Sequence, residues 1–328
     1  MRVIAVLAVI MLHSAAHGVT QYGRLASGSW WTANWLDSAC RWCVPVFIML
    51  SGALILDPSR EESLAVFYQK RFLRVFVPLL FGSTFYFIWS ATFRGEAITF
   101  EYVRRQLLAG MTDYHLYFLF LILGLYLVAP ILKIYVKYGK SGEQWTIAGL
   151  LFALNAASLL AGNQGFNAFS MYFPYLSYFW MGYLLRNRSL GAIGLFITFA
   201  VFFSSVAMTA LGTGWLYAHY DPNPLILYDH LSPTVIAETL SAFLLIRSFF
   251  SAKVGALFVQ PMQVLGPATL GIYLIHVAVL DVLRGWTSPF YAHEVLQTVL
   301  LEVAITFTLS AAITLILRRI QSLRYLIG

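Results

Sequence analysis

The sequence predicts an all-α fold, a polytopic integral membrane bundle, and three observations carry that prediction. Hydrophobic residues make up 60% of the 328 positions and charged residues only 11%, where a soluble domain carries roughly 25% charge. Uncharged runs cover 75–93, 144–185, 189–220 and 254–280, near or beyond the ~20 residues that a bilayer core requires of a helix. These runs are apolar on every face and lack the alternation of a membrane strand, so helices satisfy their backbone. The composition leaves no charged surface for an ordinary soluble enzyme.

In chain order the apolar segments predict helices near 2–20, 38–56, 72–93, 115–136, 144–161, 168–185, 190–211, 232–250, 266–284 and 295–317, about ten spans in one domain, 1–328. The first is expected to persist as a span, because Arg2 alone precedes it and no small-x-small cleavage site leads into a soluble domain. The longer connections, 94–114 and 212–231, contain Gly, Asp and His and are expected to be loops, serving as a lid, an acceptor surface or linkers. The formal charge of +7 comes from short clusters between apolar runs. That pattern describes membrane topology and offers no surface for nucleic acid. Cys40 and Cys43 form a lone C-x-x-C without a second pair for zinc, and are expected to be small helix residues.

The first helix carries the most informative spacing. Arg2 and His13 stand eleven residues apart, which is about three turns plus 20° and a climb of about 16 Å. They therefore share a face, with the arginine at the interface and the histidine near the midplane of a ~30 Å core. A midplane imidazole needs partners; it is either a general base or nucleophile in a protein-lined cavity, or a helix-packing hydrogen-bond group. His17 lies one turn on, but a His-x-x-x-His pair without a third ligand predicts no metal site.

Lys70, Arg71 and Arg74 form the second cluster, just before Pro78. Such cations either anchor lipid headgroups or clamp phosphates, and Arg71 and Arg74 fall on one face of an α-helix. Asp37 is expected to cap the second helix. Glu238 and Glu302 are expected in the outer thirds of their spans, to orient a histidine or to pair with Arg284. A multi-span transporter or flippase of a lipid-linked sugar or small anion is the alternative function, although no paired halves with matching Gly/Pro interruptions are visible.

These spacings resemble the membrane acyltransferase-3 family, through the Arg-ten-His signature at Arg2 and His13 and the R-x-x-R pattern at Arg71 and Arg74. The segment Arg41-Trp42-Cys43-Val44-Pro45, continuing to Ser51-Gly52, is similar to the branch containing the enterobacterial common antigen O-acetyltransferase. So are His115-Leu116-Tyr117-Phe118-Leu119 with Gly124, Tyr126 and Pro130, the stretch around Gly182, and Gly271-Ile272-Tyr273-Leu274-Ile275-His276. The resemblance implies transfer of acetyl from acetyl-CoA to a hydroxyl of a cell-envelope glycan or lipid-linked sugar, in the inner membrane of a bacterium. It implies His13 and Arg2 as catalytic, Arg71, Arg74 and Lys70 as cofactor-binding, and no metal or prosthetic group. Arg41 and His115, at the outer ends of their helices, are expected either to contact the acceptor or polarise the carbonyl, or to anchor at the interface; His276, grouped with them for the acceptor, is expected near mid-depth, either facing His13 or hydrogen-bonding a neighbouring helix.

Loop charge sets the orientation: about fifteen of the basic residues fall on one side of the predicted bundle and about six on the other, so both termini are expected in the cytoplasm. An impermeant thiol reagent applied to intact cells should label a Gly95→Cys variant and spare Ser63→Cys; labelling at 63 with none at 95 reverses the topology.

Overall fold

The computed structural model describes residues 1–162, 170–251 and 259–328. Every regular element among them is helical: α1 Arg2–Val19, α2 Ser27–Ser38, α3 Cys43–Ile55, α4 Leu64–Arg71, α5 Val77–Thr92, α6 Phe100–Ala109, α7 Tyr117–Tyr138, α8 Ser141–Leu160, α9 Leu176–Leu185, α10 Ala192–Ala218, α11 Pro233–Ser251, α12 Val259–Leu265, α13 Thr269–Thr287 and α14 Val295–Leu317. Eight helical stretches among the described residues are long and apolar enough to cross a membrane. The predicted class therefore holds, and the described residues contain eight such stretches where about ten were expected along the chain. The described part of α9 is only ten residues long, and α8 opens on Glu143 and Gln144. The expected helix from 168 begins outside the described residues, as does the basic position Lys253.

The chain forms two compact units: one from Met1–Phe47 and Asn187–Ala312, the other from Ile48–Arg186 and Ile313–Gly328. In the first, α1 packs along α2 and also meets α13, while α10 lies against both α2 and α11. Small residues permit these approaches. A Cβ at Gly18 of α1 would stand 2.7 Å from the Cβ of Ala33 on α2. Ala15, Val19, Ala33, Tyr228, Tyr291, Val295 and Val299 close into one apolar cluster around this contact.

The connection expected before residue 38 is instead α2, the first half of a 29-residue stretch, Ser27–Ile55, broken at the turn before Cys43. Its polar residues are admitted because they are partnered: Asn34 donates from Nδ2 to the carbonyl of Ala210 at 2.9 Å, and its Oδ1 accepts from the Tyr228 hydroxyl. Asp37 sits near the end of α2 and pairs with Arg41 one turn on, so it is not the cap of the following helix. Cys40 lies in the turn rather than a helix, and both cysteines are buried free thiols.

In the second unit, α4 begins about two turns before the expected start at 72, where Ser63 caps it, its Oγ accepting from the Val66 amide at 3.4 Å. The 94–114 connection contains α6, opened by a Thr99 cap and closed by Gly110 at φ 70°. Glu101, Arg104 and Arg105 break its apolar pattern and hid this exposed amphipathic helix from an apolarity reading. α3 and α9 cross with their backbones in contact: a Cβ at Gly52 would fall 1.7 Å from the carbonyl oxygen of Phe179, and one at Gly182 would fall 2.0 Å from that of Met49. Neither neighbour is a flexible side chain that can yield. Gly182→Ala should therefore destabilise the detergent-solubilised protein by about 1–3 kcal/mol or more, as overpacking does. Gly149→Ala, where the added carbon meets nothing within 4 Å, should leave the melting temperature unchanged.

Candidate functional site

In the first unit, α1 runs unbroken from Arg2 through His13, so the calculated rise between them stands. Arg2 is exposed at the helix start and His13 is half-buried. The His13 ring stacks on that of His276 from α13, with centroids 5.4 Å apart and planes inclined by 27°. The two histidines, 263 positions apart in the chain, thus meet, which was one of the two placements expected of His276. His276 is wholly buried, and its Nδ1 lies 2.6 Å from the carbonyl of Tyr273. A carbonyl only accepts, so Nδ1 carries the proton and the neutral ring keeps its basic lone pair on Nε2.

The backbone of His13 is tied from α13 as well: Arg284 donates from its guanidinium to the His13 carbonyl at 2.5 Å. The next residue, Ser14, donates to Glu302 Oε2 at 2.5 Å. The Tyr291 hydroxyl stands 2.8 Å from that same oxygen and 2.7 Å from the Ser14 carbonyl, and Thr287 donates to Glu302 Oε1. Glu302 is fully buried in α14. The expected alternative of a pair with Arg284 is not what it makes, because three hydroxyls satisfy the carboxylate, and the nearer acid to Arg284 is Asp281 at 3.9 Å. Ser14, Thr287 and Tyr291 were invisible in the sequence, since isolated hydroxyls in apolar helices form no pattern.

Arg41 is held deep in the first unit. It pairs with Asp37, lies over the Tyr228 ring at 3.8 Å and donates to the Tyr228 carbonyl at 3.4 Å. It therefore stands at the break between α2 and α3. Glu238, also fully buried on α11, lies within electrostatic reach of Arg41 and Asp37.

In the second unit, Glu62 sits between two of the cations of the basic cluster, with Oε2 2.8 Å from Lys70 Nζ and Oε1 2.8 Å from Arg71. Arg71 also lies over the Phe67 ring at 4.1 Å. Arg74 is exposed and falls in a π-helical turn, Phe72–Phe76, between α4 and α5. The α-helix expected to carry both arginines is thus interrupted at Arg74 by a wider turn, and such turns frequently mark functional positions.

His115, buried at the start of α7, hydrogen-bonds through Nδ1 to Asp113 Oδ1 at 3.0 Å, and its ring meets that of Tyr86 edge-on at 4.7 Å. Arg94 holds the other Asp113 oxygen at 2.6 Å. Asp113 was not anticipated; an Asp two residues before a His is a weak signal without the fold. No group of three or more His, Cys, Asp or Glu able to hold a metal ion occurs among the described residues.

These features define a helical membrane protein with an accessible imidazole held in place by buried polar bonds. The acyltransferase domain family model matches residues 1–319, and the chain belongs to that family: it is a membrane acyltransferase. No curated protein and no solved structure is similar enough to add a named relative or a fold neighbour.

Burial raises the Asp113 carboxyl, but the hydrogen bonds and charges of His115 and Arg94 outweigh it and hold the group below its ordinary 3.8. A depressed folded value stabilises the protein above the unfolded value, and that stability is lost as pH falls through the folded one. Asp113→Asn should therefore melt below wild type by a constant margin above about pH 5, a margin that narrows below about pH 4. Thermal unfolding across pH 2.5–7 in one detergent measures it; a margin that widens on acidification contradicts the assignment.

Proposed function

We propose that this acyltransferase is an O-acetyltransferase that takes acetyl from cytoplasmic acetyl-CoA and places it on a hydroxyl of an envelope glycan or lipid-linked sugar. In this reading it is a single acyltransferase domain in the inner membrane of a bacterium, with both termini cytoplasmic, nearest the enterobacterial common antigen branch. The observation that carries the proposal is His13: a half-buried imidazole eleven residues above Arg2, stacked on a second imidazole and fixed at its own carbonyl. The match of one family model across both compact units supports treating them as one domain.

His13 accepts the proton of the acceptor hydroxyl as its oxygen attacks the thioester carbon. The C–O bond forms, the C–S bond breaks, and His13 returns the proton to the departing CoA sulfur. His276, lying against the ring, opposes its rotation out of line. Lys70, Arg71 and Arg74 receive the donor phosphates. In support, Lys70 and Arg71 already converge on one carboxylate, Glu62, and Arg74 is exposed. Arg2 adds positive charge at the start of α1. Arg41, His115 and His276 act as positioning residues, since their side chains are largely buried and already bonded.

Radiolabelled acetyl-CoA and a crude envelope glycan, mixed with purified protein, test this directly. His13→Ala should remain folded and lose about 10²- to 10⁴-fold in transfer rate, the usual contribution of a general base. A packing hydrogen bond in a membrane bundle is worth about 0.6 kcal/mol and predicts almost no kinetic loss. Replacing Arg71 and Arg74 together by Ala should raise the KM for acetyl-CoA more than it lowers kcat, because a phosphate clamp supplies mainly uniform binding. A folded His13→Ala protein with near-wild-type transfer ends the assignment.

A further inference from the structure

The side chains named above for the acceptor are enclosed, whereas the helical turn beyond His13 is polar and open. His17 stands about 6 Å farther along α1 and roughly on the same face. It is half-buried, as are Gln21 and Arg284, and Tyr22 is exposed to 39%. Gln21 Nε2 lies 2.9 Å from His17 Nε2. An amide nitrogen only donates, so His17 accepts there and carries its proton on Nδ1. The His17 ring is further held edge-on by Tyr291 at 4.9 Å. Tyr22 stacks on Tyr217 at 4.7 Å, and Trp30 backs it edge-on at 4.9 Å while donating to the Val19 carbonyl at 3.0 Å. These contacts hold the side chains in place and leave the Tyr22 ring with exposed surface one residue from Gln21, whose amide reaches His17. That combination suits a sugar ring, whose C–H face packs on an aromatic and whose hydroxyls donate and accept.

The charges select among sugars. Arg284 and the exposed Arg24 are the cations near this turn, and two carboxylates balance them: Asp281 lies 3.9 Å from Arg284, and the charge of Glu302 reaches the His17 ring. No net positive charge faces the turn, so a carboxylated sugar gains nothing there and a neutral one incurs no desolvation of a second anion.

We infer that His17, Gln21, Tyr22 and Arg284 form the acceptor subsite, one helical turn beyond the base, and that it takes an uncharged, hydroxyl-rich sugar ring in preference to a uronic acid. The inference rests on His13 being the base, and the experiment separates the two claims. Saturation-transfer NMR on nanodisc-embedded protein reads binding of a neutral methyl hexoside, and of its uronate counterpart, without chemistry. Wild type and His13→Ala should both bind the neutral glycoside and bind the uronate more weakly. Gln21→Ala and Tyr22→Ala should each weaken neutral-glycoside binding by roughly 3- to 10-fold, the worth of one hydrogen bond or one aromatic contact. In transfer assays they should raise the acceptor KM by a similar factor and leave the acetyl-CoA KM unchanged. The subsite is overturned if wild type shows no glycoside signal, if both variants bind as wild type does, or if the uronate binds more tightly. If His13→Ala binds the glycoside and still transfers, the base assignment falls and the subsite stands.

Discussion

The rest of the first unit depends on the short polar ladder beside His13: Ser14 to Glu302, Glu302 to Tyr291 and Thr287, and Arg284 to the His13 carbonyl. In hydrocarbon an unsatisfied polar group is costly, so each bond fixes the elements that carry its two ends. Glu302 is the keystone because it is an acid buried without a cation in direct contact, satisfied only when three hydroxyls from α1, α13 and the turn after α13 converge on it. Removing any one leaves the other donors facing a carboxylate that has lost part of its solvation. The side chain one position before Ser14 thereby has its orientation set by chemistry that it does not itself perform.

The same logic governs the break between α2 and α3. A continuous helix through Asp37 and Arg41 would put a charged pair on its surface at mid-span. The turn instead folds the pair inward, where Tyr228 covers the guanidinium and Asn34 ties the Tyr228 hydroxyl. Apolar packing supplies the remainder: Ala15, Val19 and Ala33 permit the close approach on which these bonds rely. In the second unit the corresponding device is backbone contact at Gly52 and Gly182, which places α3 and α9 closer than any side chain allows.

Much of this was legible in the sequence. The helical class, the unbroken first helix with Arg2 and His13 on it, and α10, α11 and α14 followed from apolar length alone. Family membership followed from the Arg-ten-His and R-x-x-R spacings. What the sequence hid was of two kinds. Helices with polar residues, such as α2 and α6, read as loops, because an apolarity pattern does not register that Asn34 has a partner at Ala210 or that α6 has no buried face. Long-range pairings were only partly legible: equal depth made His276 a candidate neighbour of His13, but nothing local marks Asp113 as the anchor of His115. The π-turn at Arg74 was hidden as well, since the R-x-x-R motif does not mark it.

The central claim is that the reacting thioester meets its hydroxyl at His13. A structure of the protein bound to a thioether analogue of acetyl-CoA tests it most directly, because the acyl carbonyl can then be located without turnover. The account predicts that carbonyl beside the His13 imidazole, with room for a hydroxyl within about 3.2 Å of a ring nitrogen or one water away, on the side of His17. An acyl group bound with full occupancy where neither His13 nor a water it holds can reach the attacking oxygen would contradict it.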